Sequence, residues 1–174
     1  MKTTSVCSAV ATEKQWYALY TRSRHEKIVE EELQKKGIEA FLPLRKLTRH
    51  WSDRVKEIQE PLFAGYLFVR IPLEERLQVL QSRGSVRFVG WNAVPTPIPE
   101  KDLAAIRRFI EEEIAIDPYP YLAKGDRVYV RSGSFKGVEG YIVRKDQHTR
   151  LVISLDLLFQ SISVEIDEAL VEKI

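Results

Sequence analysis

The 174-residue sequence predicts an α+β fold, with an antiparallel sheet flanked by helices over 16–115 joined to a small all-β barrel over 123–174. Three observations predict it. Up to about residue 115, runs of strand-favouring residues alternate with stretches whose apolar residues recur at helical spacing. Ile116-Asp117-Pro118-Tyr119-Pro120 then interrupts the pattern, and its prolines favour an extended connector over 116–122. Beyond it come short β-rich runs at 127–131, 139–145, 151–155 and 161–166, separated by Gly, Asp, Gln and Ser turns.

The elements follow in order. Residues 1–15 read as a disordered tail. Trp16-Tyr17-Ala18-Leu19-Tyr20 is a first strand, stopped by Thr21-Arg22-Ser23-Arg24. Ser23 with Glu26 matches a capping box, acidic residues lie towards the helix start, Lys35 and Lys36 lie in its last turn, and Gly37 suits the left-handed cap. A helix over 24–36 is therefore expected. Residues 38–47 and 54–60 read as a hairpin turning around Ser52-Asp53, with Pro43 marking an edge or a bulge. Tyr66-Leu67-Phe68-Val69-Arg70-Ile71 is the clearest strand, placing Leu67, Val69 and Ile71 on one face and Tyr66, Phe68 and Arg70 on the other. Leu73, Leu77 and Leu80 predict a short helix over 73–82, and 86–89 a further strand. Leu103, Ile106, Ile110 and Ile114 predict a third helix after Pro99.

Composition narrows the function classes. An apolar fraction of 44% and a charged fraction of 30% fit a globular protein with a core. Lys and Arg number 27 against 25 Asp and Glu, a net charge of +2 that argues against general coating of nucleic acid, so any contact with it must be local. Cys7 is the only cysteine, which excludes an internal disulfide and a multi-thiolate metal site and fits a reducing, cytoplasmic setting. No run approaches the ~20 apolar residues a membrane-spanning helix needs, so no membrane association is expected. His25, His50 and His148 are scattered, and Gly133-Ser134-Phe135-Lys136-Gly137 lacks the Lys-Ser or Lys-Thr of a phosphate-binding loop. No catalytic residue, metal site or cofactor is expected.

Several motifs in fixed order carry a resemblance. Trp16-Tyr17, the helix after it, Pro61-Leu62-Phe63-Ala64-Gly65-Tyr66-Leu67-Phe68-Val69, and Val86-Arg87-Phe88-Val89-Gly90 with the prolines at 95–99 resemble the NGN domain of the NusG family. Gly125-Asp126-Arg127-Val128-Tyr129-Val130, followed by 132–140, resembles the KOW motif, which in that family forms a small SH3-like barrel. The resemblance covers 16–174 and implies an NGN domain over 16–115 and a KOW domain over 123–174.

It also implies function. In the family the NGN domain grips the clamp of the largest RNA polymerase subunit and suppresses pausing. Such a site suits rigid aromatic side chains, and Tyr20, Phe63, Tyr66 and Phe68 are the expected contacts. By periodicity alone these rings could equally pack beneath a helix. Arg22, Arg24, His25 and Arg83 correspond to the region that touches the displaced non-template DNA strand in specialised, RfaH-like members; guanidinium groups suit phosphates and base edges. Arg45, Lys46, Arg49, Arg54 and Lys56 form a second basic stretch that could meet nucleic acid or merely solubilise the hairpin. Phe135, in a turn between barrel strands, corresponds to the loop that docks a small-subunit ribosomal protein or the Rho factor in housekeeping NusG. Ser134 replaces a common proline and Phe159-Gln160-Ser161 departs from the usual Gly-Arg, which argues against Rho.

These departures resemble the specialised antiterminators of long operons such as those for surface polysaccharides, with housekeeping NusG as the alternative. A ribosome-associated KOW protein is disfavoured, since from Ile116 onward Lys and Arg number 8 against 9 Asp and Glu. Strong β-propensity at Val128, Val130, Ile142, Val143, Val152 and Ile153 predicts an all-β second domain, without the helical resting state some members adopt.

Overall fold

The computed structural model describes residues 13–50, 54–145 and 147–174. Of the tail expected over 1–15, residues 1–12, including Cys7, lie outside the described residues, and Gln15 already belongs to the first strand, β1 (Gln15–Thr21). Helix α1 (Glu26–Lys35) follows. Its start corrects the capping-box expectation. Ser23 is exposed, Arg24 adopts φ +62°, and the N-cap is His25 with no side-chain cap. The Glu26 carboxylate, instead of reaching back to its own helix, accepts the Gly65 N–H at 2.8 Å. The C-terminus is as expected: Gly37 at φ +74° donates to the Gln34 carbonyl and Ile38 to the Leu33 carbonyl, closing a Schellman motif around the buried Leu33–Ile38 pair.

The expected strand over 38–47 is two strands, β2 (Glu39–Phe41) and β3 (Leu44–His50), because Pro43 cannot donate to a ladder. β3 pairs with β4 (Val55–Pro61) as a separate antiparallel two-stranded sheet; the turn expected around Ser52-Asp53 lies outside the described residues. β5 (Tyr66–Ile71) is where the alternation puts it. The helix expected over 73–82 is a 3-10 turn, Leu73–Glu75, and a short α2 (Arg76–Leu80). The tighter first turn shifts the inward phase, so Val79 is fully buried and Leu77 is exposed. β6 (Ser85–Phe88), the small hairpin β7 (Gly90–Trp91) and β8 (Val94–Pro95), and β9 (Pro97–Ile98) lead into α3 (Glu100–Glu111).

The first sheet runs β2-β5-β1-β6, with β9 sharing the β6 edge of β1, and every pairing is antiparallel. One face, with Tyr17, Leu19, Leu67, Val69, Ile71 and Phe88, packs on Val29 and Leu33 of α1 and on Val79 of α2. The other, with Trp16, Ala18 and Phe68, packs on Leu103, Ala105, Ile106 and Phe109 of α3.

The first half of the expected connector is β10 (Ile116–Tyr119), the end strand of a second antiparallel sheet; an edge position tolerates Pro118, which has no N–H to give. This sheet continues through β11 (Asp126–Val130), β12 (Glu139–Lys145), β13 (His148–Leu155), β14 (Gln160–Glu165) and β15 (Val171–Lys173), in the order β10-β14-β13-β12-β11-β15. Among the described residues of this sheet, β12, β13 and β14 are strands, interrupted only by the 3-10 turn Asp156–Leu158 and short loops. The apolar cluster above the first sheet extends past α3 to Val138, Ile153, Leu155 and Leu158 of the second domain, so α3 is covered on two sides. Among the described residues no helix is long and apolar enough to cross a membrane.

Candidate docking surface and its arginine edge

Antiparallel register sets Tyr20 of β1 directly opposite Tyr66 of β5, so the two rings project from the same face with centroids 5.3 Å apart. Tyr20 is 36% exposed, and Tyr66 is half-buried. Arg87 lies opposite Tyr20 on β6, with its guanidinium 5.5 Å from the centre of the tyrosine ring. Two rings and a cation thus share one end of the sheet, a combination that buries area on contact at low entropic cost.

Phe63 and Phe68 do not join them. Phe68 is fully buried two positions along β5, and Phe63, 1% exposed, meets it edge to face at 5.8 Å. Alternation correctly assigns Phe68 to the Tyr66 face, but Phe68 lies inside the apolar cluster that includes α3, whereas Tyr66 is only partly buried against that cluster. Both phenylalanines therefore belong to the core, and the expectation that they form the contact surface is corrected.

Backbone bonds tie this patch to the arginine loop. The Thr21 N–H donates to the Gly65 carbonyl at 2.8 Å, just before Tyr66, and the Arg22 N–H donates to the Gly84 carbonyl at 2.8 Å, just after Arg83. Arg22, Arg24 and Arg83, far apart in sequence, are thereby gathered at one margin, all exposed. No ion pair engages any of the three among the described residues. Arg45, Arg49, Arg70, Arg127, Arg144 and Arg150 by contrast each meet a carboxylate, while Arg108 and Arg131 donate to backbone carbonyls. His25 is placed differently from the arginines. It is half-buried, its Nδ1 lies 3.0 Å from the Ser23 carbonyl, and its ring packs on Gly84 so closely that a Cβ there would stand 2.7 Å from the His25 Cβ. The imidazole packs the two loops together and presents less free surface than its neighbours.

The second basic stretch is largely neutralised. Arg45 and Arg49 share Glu60, and Lys46 pairs with Glu113; that contact holds the lysine above and the glutamate below its ordinary pKa. This arrangement fits a solubilised hairpin.

In the second domain Phe135 is not on an open surface. Its ring stands edge-on to Phe109 of α3 at 4.7 Å, and the Arg108 guanidinium donates to the carbonyls of Ser134 and Lys136 on either side. The glycine-rich turn brings the half-buried Phe135 against α3, so an intramolecular contact occupies one edge of the ring expected to meet a partner. The aromatic residue that is exposed there is Phe159, at 61%, held at φ +51° against Tyr121 with centroids 5.4 Å apart. In the sequence Phe159 stands out only as a departure from a motif; its place between a 3-10 turn and β14 is the signal that marks it. Beside the Phe109 contact a groove is lined by Asp102, Arg108, Glu139 and Asp156. Burial pushes the Asp102 carboxyl up; Lys101 opposes the rise, and Asp156 and Glu139 add to it.

The family model described as "Transcription termination factor nusG" matches residues 14–107, more than half of the chain and nearly all of the first domain. The chain belongs to the NusG family. The transcription termination/antitermination protein NusG of Helicobacter pylori J99 is 26% identical over 172 residues, covering 91% of this chain and 98% of that protein. NusG of Campylobacter jejuni is 27% identical over 173 residues, covering 91% and 97%. The solved structure of Thermotoga maritima NusG, 24% identical, superposes with a TM-score of 0.57 over 93% of this chain and 98% of that one, which supports the same two-part fold. NusG proteins are transcription factors, and their likeness here spans both domains.

Proposed function

We propose that this NusG-family protein is an antitermination and elongation factor. It docks on the clamp of the largest RNA polymerase subunit through Tyr20, Tyr66 and Arg87, lays Arg22, Arg24 and Arg83 against the displaced non-template DNA strand, and serves a restricted set of long operons. One observation carries the reading: the partly exposed Tyr20–Tyr66 pair and the three arginines, which meet no carboxylate among the described residues, occupy one end of the sheet, joined through Thr21–Gly65 and Arg22–Gly84. A single bound complex can then offer an apolar contact to protein and a cationic margin to a strand beside it. The barrel's contact with a small-subunit ribosomal protein would fall on the exposed Phe159, with Tyr121 beside it.

The end-to-end match with NusG proteins of other bacteria favours a second reading, general elongation on every transcript. Transcription in vitro with purified polymerase separates the two. Operon restriction predicts increased readthrough on templates carrying a particular leader element and little change on generic templates. Equal enhancement on all templates establishes the general role instead.

A further inference from the structure

Among the acidic and basic side chains of the described residues Glu26 is the most deeply buried, 6% exposed, and none of the contacts above requires it to be a carboxylate. A buried carboxylate forfeits hydration, and an apolar residue at the start of α1 could fill the same space. Its partner is informative. The Glu26 Oε1 accepts the Gly65 N–H at 2.8 Å, while the carbonyl of the same glycine accepts the Thr21 N–H at 2.8 Å and the Thr21 Oγ1 hydroxyl at 3.3 Å. Both peptide units flanking Gly65 are therefore held, one from α1 and one from β1. Gly65 sits at φ +83°, and a Cβ there would stand 3.2 Å from the Tyr20 ring, so this backbone forms the floor on which Tyr20 rests. Tyr66 is the next residue along.

We infer that Glu26 is a positioning residue for partner docking: its carboxylate fixes the Gly65 peptide, and the peptide fixes the mutual placement of Tyr20 and Tyr66. Glu26 also opens α1 directly after Arg22, Arg24 and His25, so the same bond fixes the arginine loop relative to the aromatic pair. The bond joins the helix that follows the cationic margin to the turn that precedes the apolar patch. This inference rests on the docking role proposed for Tyr20 and Tyr66.

The test uses the full chain and purified core RNA polymerase, with Glu26→Met, Glu26→Gln and, as a reference, Tyr66→Ala. Methionine matches the volume and removes the acceptor; glutamine keeps an acceptor oxygen. Two quantities are read, hydrogen exchange at the Gly65 amide with the Tyr20 and Tyr66 ring shifts in the free protein, and the Kd for polymerase. Glu26→Met is expected to lose Gly65 protection, move both sets of ring shifts and weaken polymerase binding about tenfold, with Glu26→Gln restoring binding to within about threefold. Unchanged Gly65 protection and ring shifts in a folded Glu26→Met overturn the inference without reference to any partner. If the ring shifts move and Tyr66→Ala weakens binding but Glu26→Met does not, the positioning role is overturned and the docking role stands. If Tyr66→Ala also binds normally, the docking role fails and the inference falls with it. Should Glu26→Met not fold, Glu26→Gln decides: tenfold weaker binding with Gly65 still protected overturns the inference, and binding within threefold upholds it.

Discussion

The ring of Phe135 in the second domain stands edge-on to the ring of Phe109 in α3, with centroids 4.7 Å apart and planes at 85°. The contact joins the two parts of the chain through the helix that also roofs the first sheet. Phe135→Ala is expected to lower stability by about 2 kcal/mol, the worth of a half-buried aromatic contact, and to leave the first sheet intact. Thermal unfolding, with chemical shifts followed along α3, checks this. An unchanged melting temperature together with unchanged α3 shifts would count against the contact.

The distinction between rings in the core and rings at the surface predicts opposite phenotypes. Phe63→Ala and Phe68→Ala each leave a cavity between the sheet and α3 and are expected to cost about 3–5 kcal/mol. Tyr20→Ala and Tyr66→Ala should cost far less stability and instead weaken polymerase binding. Denaturant titration and a binding titration on the same four variants decide it. A strong binding defect in a fully stable Phe68→Ala would reverse the assignment.

Arg22, Arg24 and Arg83 predict a salt-dependent strand contact. Replacing Arg22 or Arg83 by Gln should weaken single-stranded DNA binding within a polymerase complex and reduce the slope of log K against log salt by about 0.7 for each phosphate that the arginine no longer neutralises. Affinity for polymerase without nucleic acid should stay near that of the parent. Equal weakening of both would place these arginines on the protein contact instead.

Asp102 predicts a pH signature. Burial raises its folded-state carboxyl above the unfolded value, so its contribution to stability is complete below the ordinary carboxylate range of about 4 and is lost as pH rises through the folded value. Asp102→Asn carries no such loss. Parent and variant should converge near pH 3, and the variant should be the more stable at pH 7. Parallel stability curves across that window would show that the groove does not perturb the carboxyl.

Gly84 predicts a steric effect. At φ +107°, and with His25 closer than a Cβ tolerates, Gly84→Ala should cost more than about 1 kcal/mol and separate the Arg22 and Arg83 loops. Thermal unfolding alongside the DNA titration measures both consequences.

How much of this can be read from the sequence depends on how local the signal is. The alternation at 66–71 and the Lys35-Lys36-Gly37 helix end are legible because strand period and Schellman geometry are set by neighbouring residues. The start of α1 departs from its local pattern for a non-local reason, since Glu26 is drawn to Gly65, 39 residues away, and no propensity encodes that. For Phe68 the pattern yields the correct face and the wrong environment; periodicity says which side a ring points to and is silent on what packs over that side. The gathering of Arg22 with Arg83 follows from the Arg22–Gly84 bond, and the exposure of Phe159 in place of Phe135 follows from how the barrel meets α3. Charge pairing is equally hidden, and the basic stretch from Arg45 to Lys56 stays open between nucleic-acid contact and a solubilised hairpin until Glu60 and Glu113 are found beside Arg45, Lys46 and Arg49.

The most direct measurement places a photo-crosslinking amino acid at Tyr66, and separately at Phe159, in the full-length protein bound to a transcribing polymerase. The account predicts that position 66 crosslinks to the clamp of the largest polymerase subunit and that position 159 does not. Crosslinking to that clamp from position 159 alone, with position 66 silent in a complex that still forms, would contradict it.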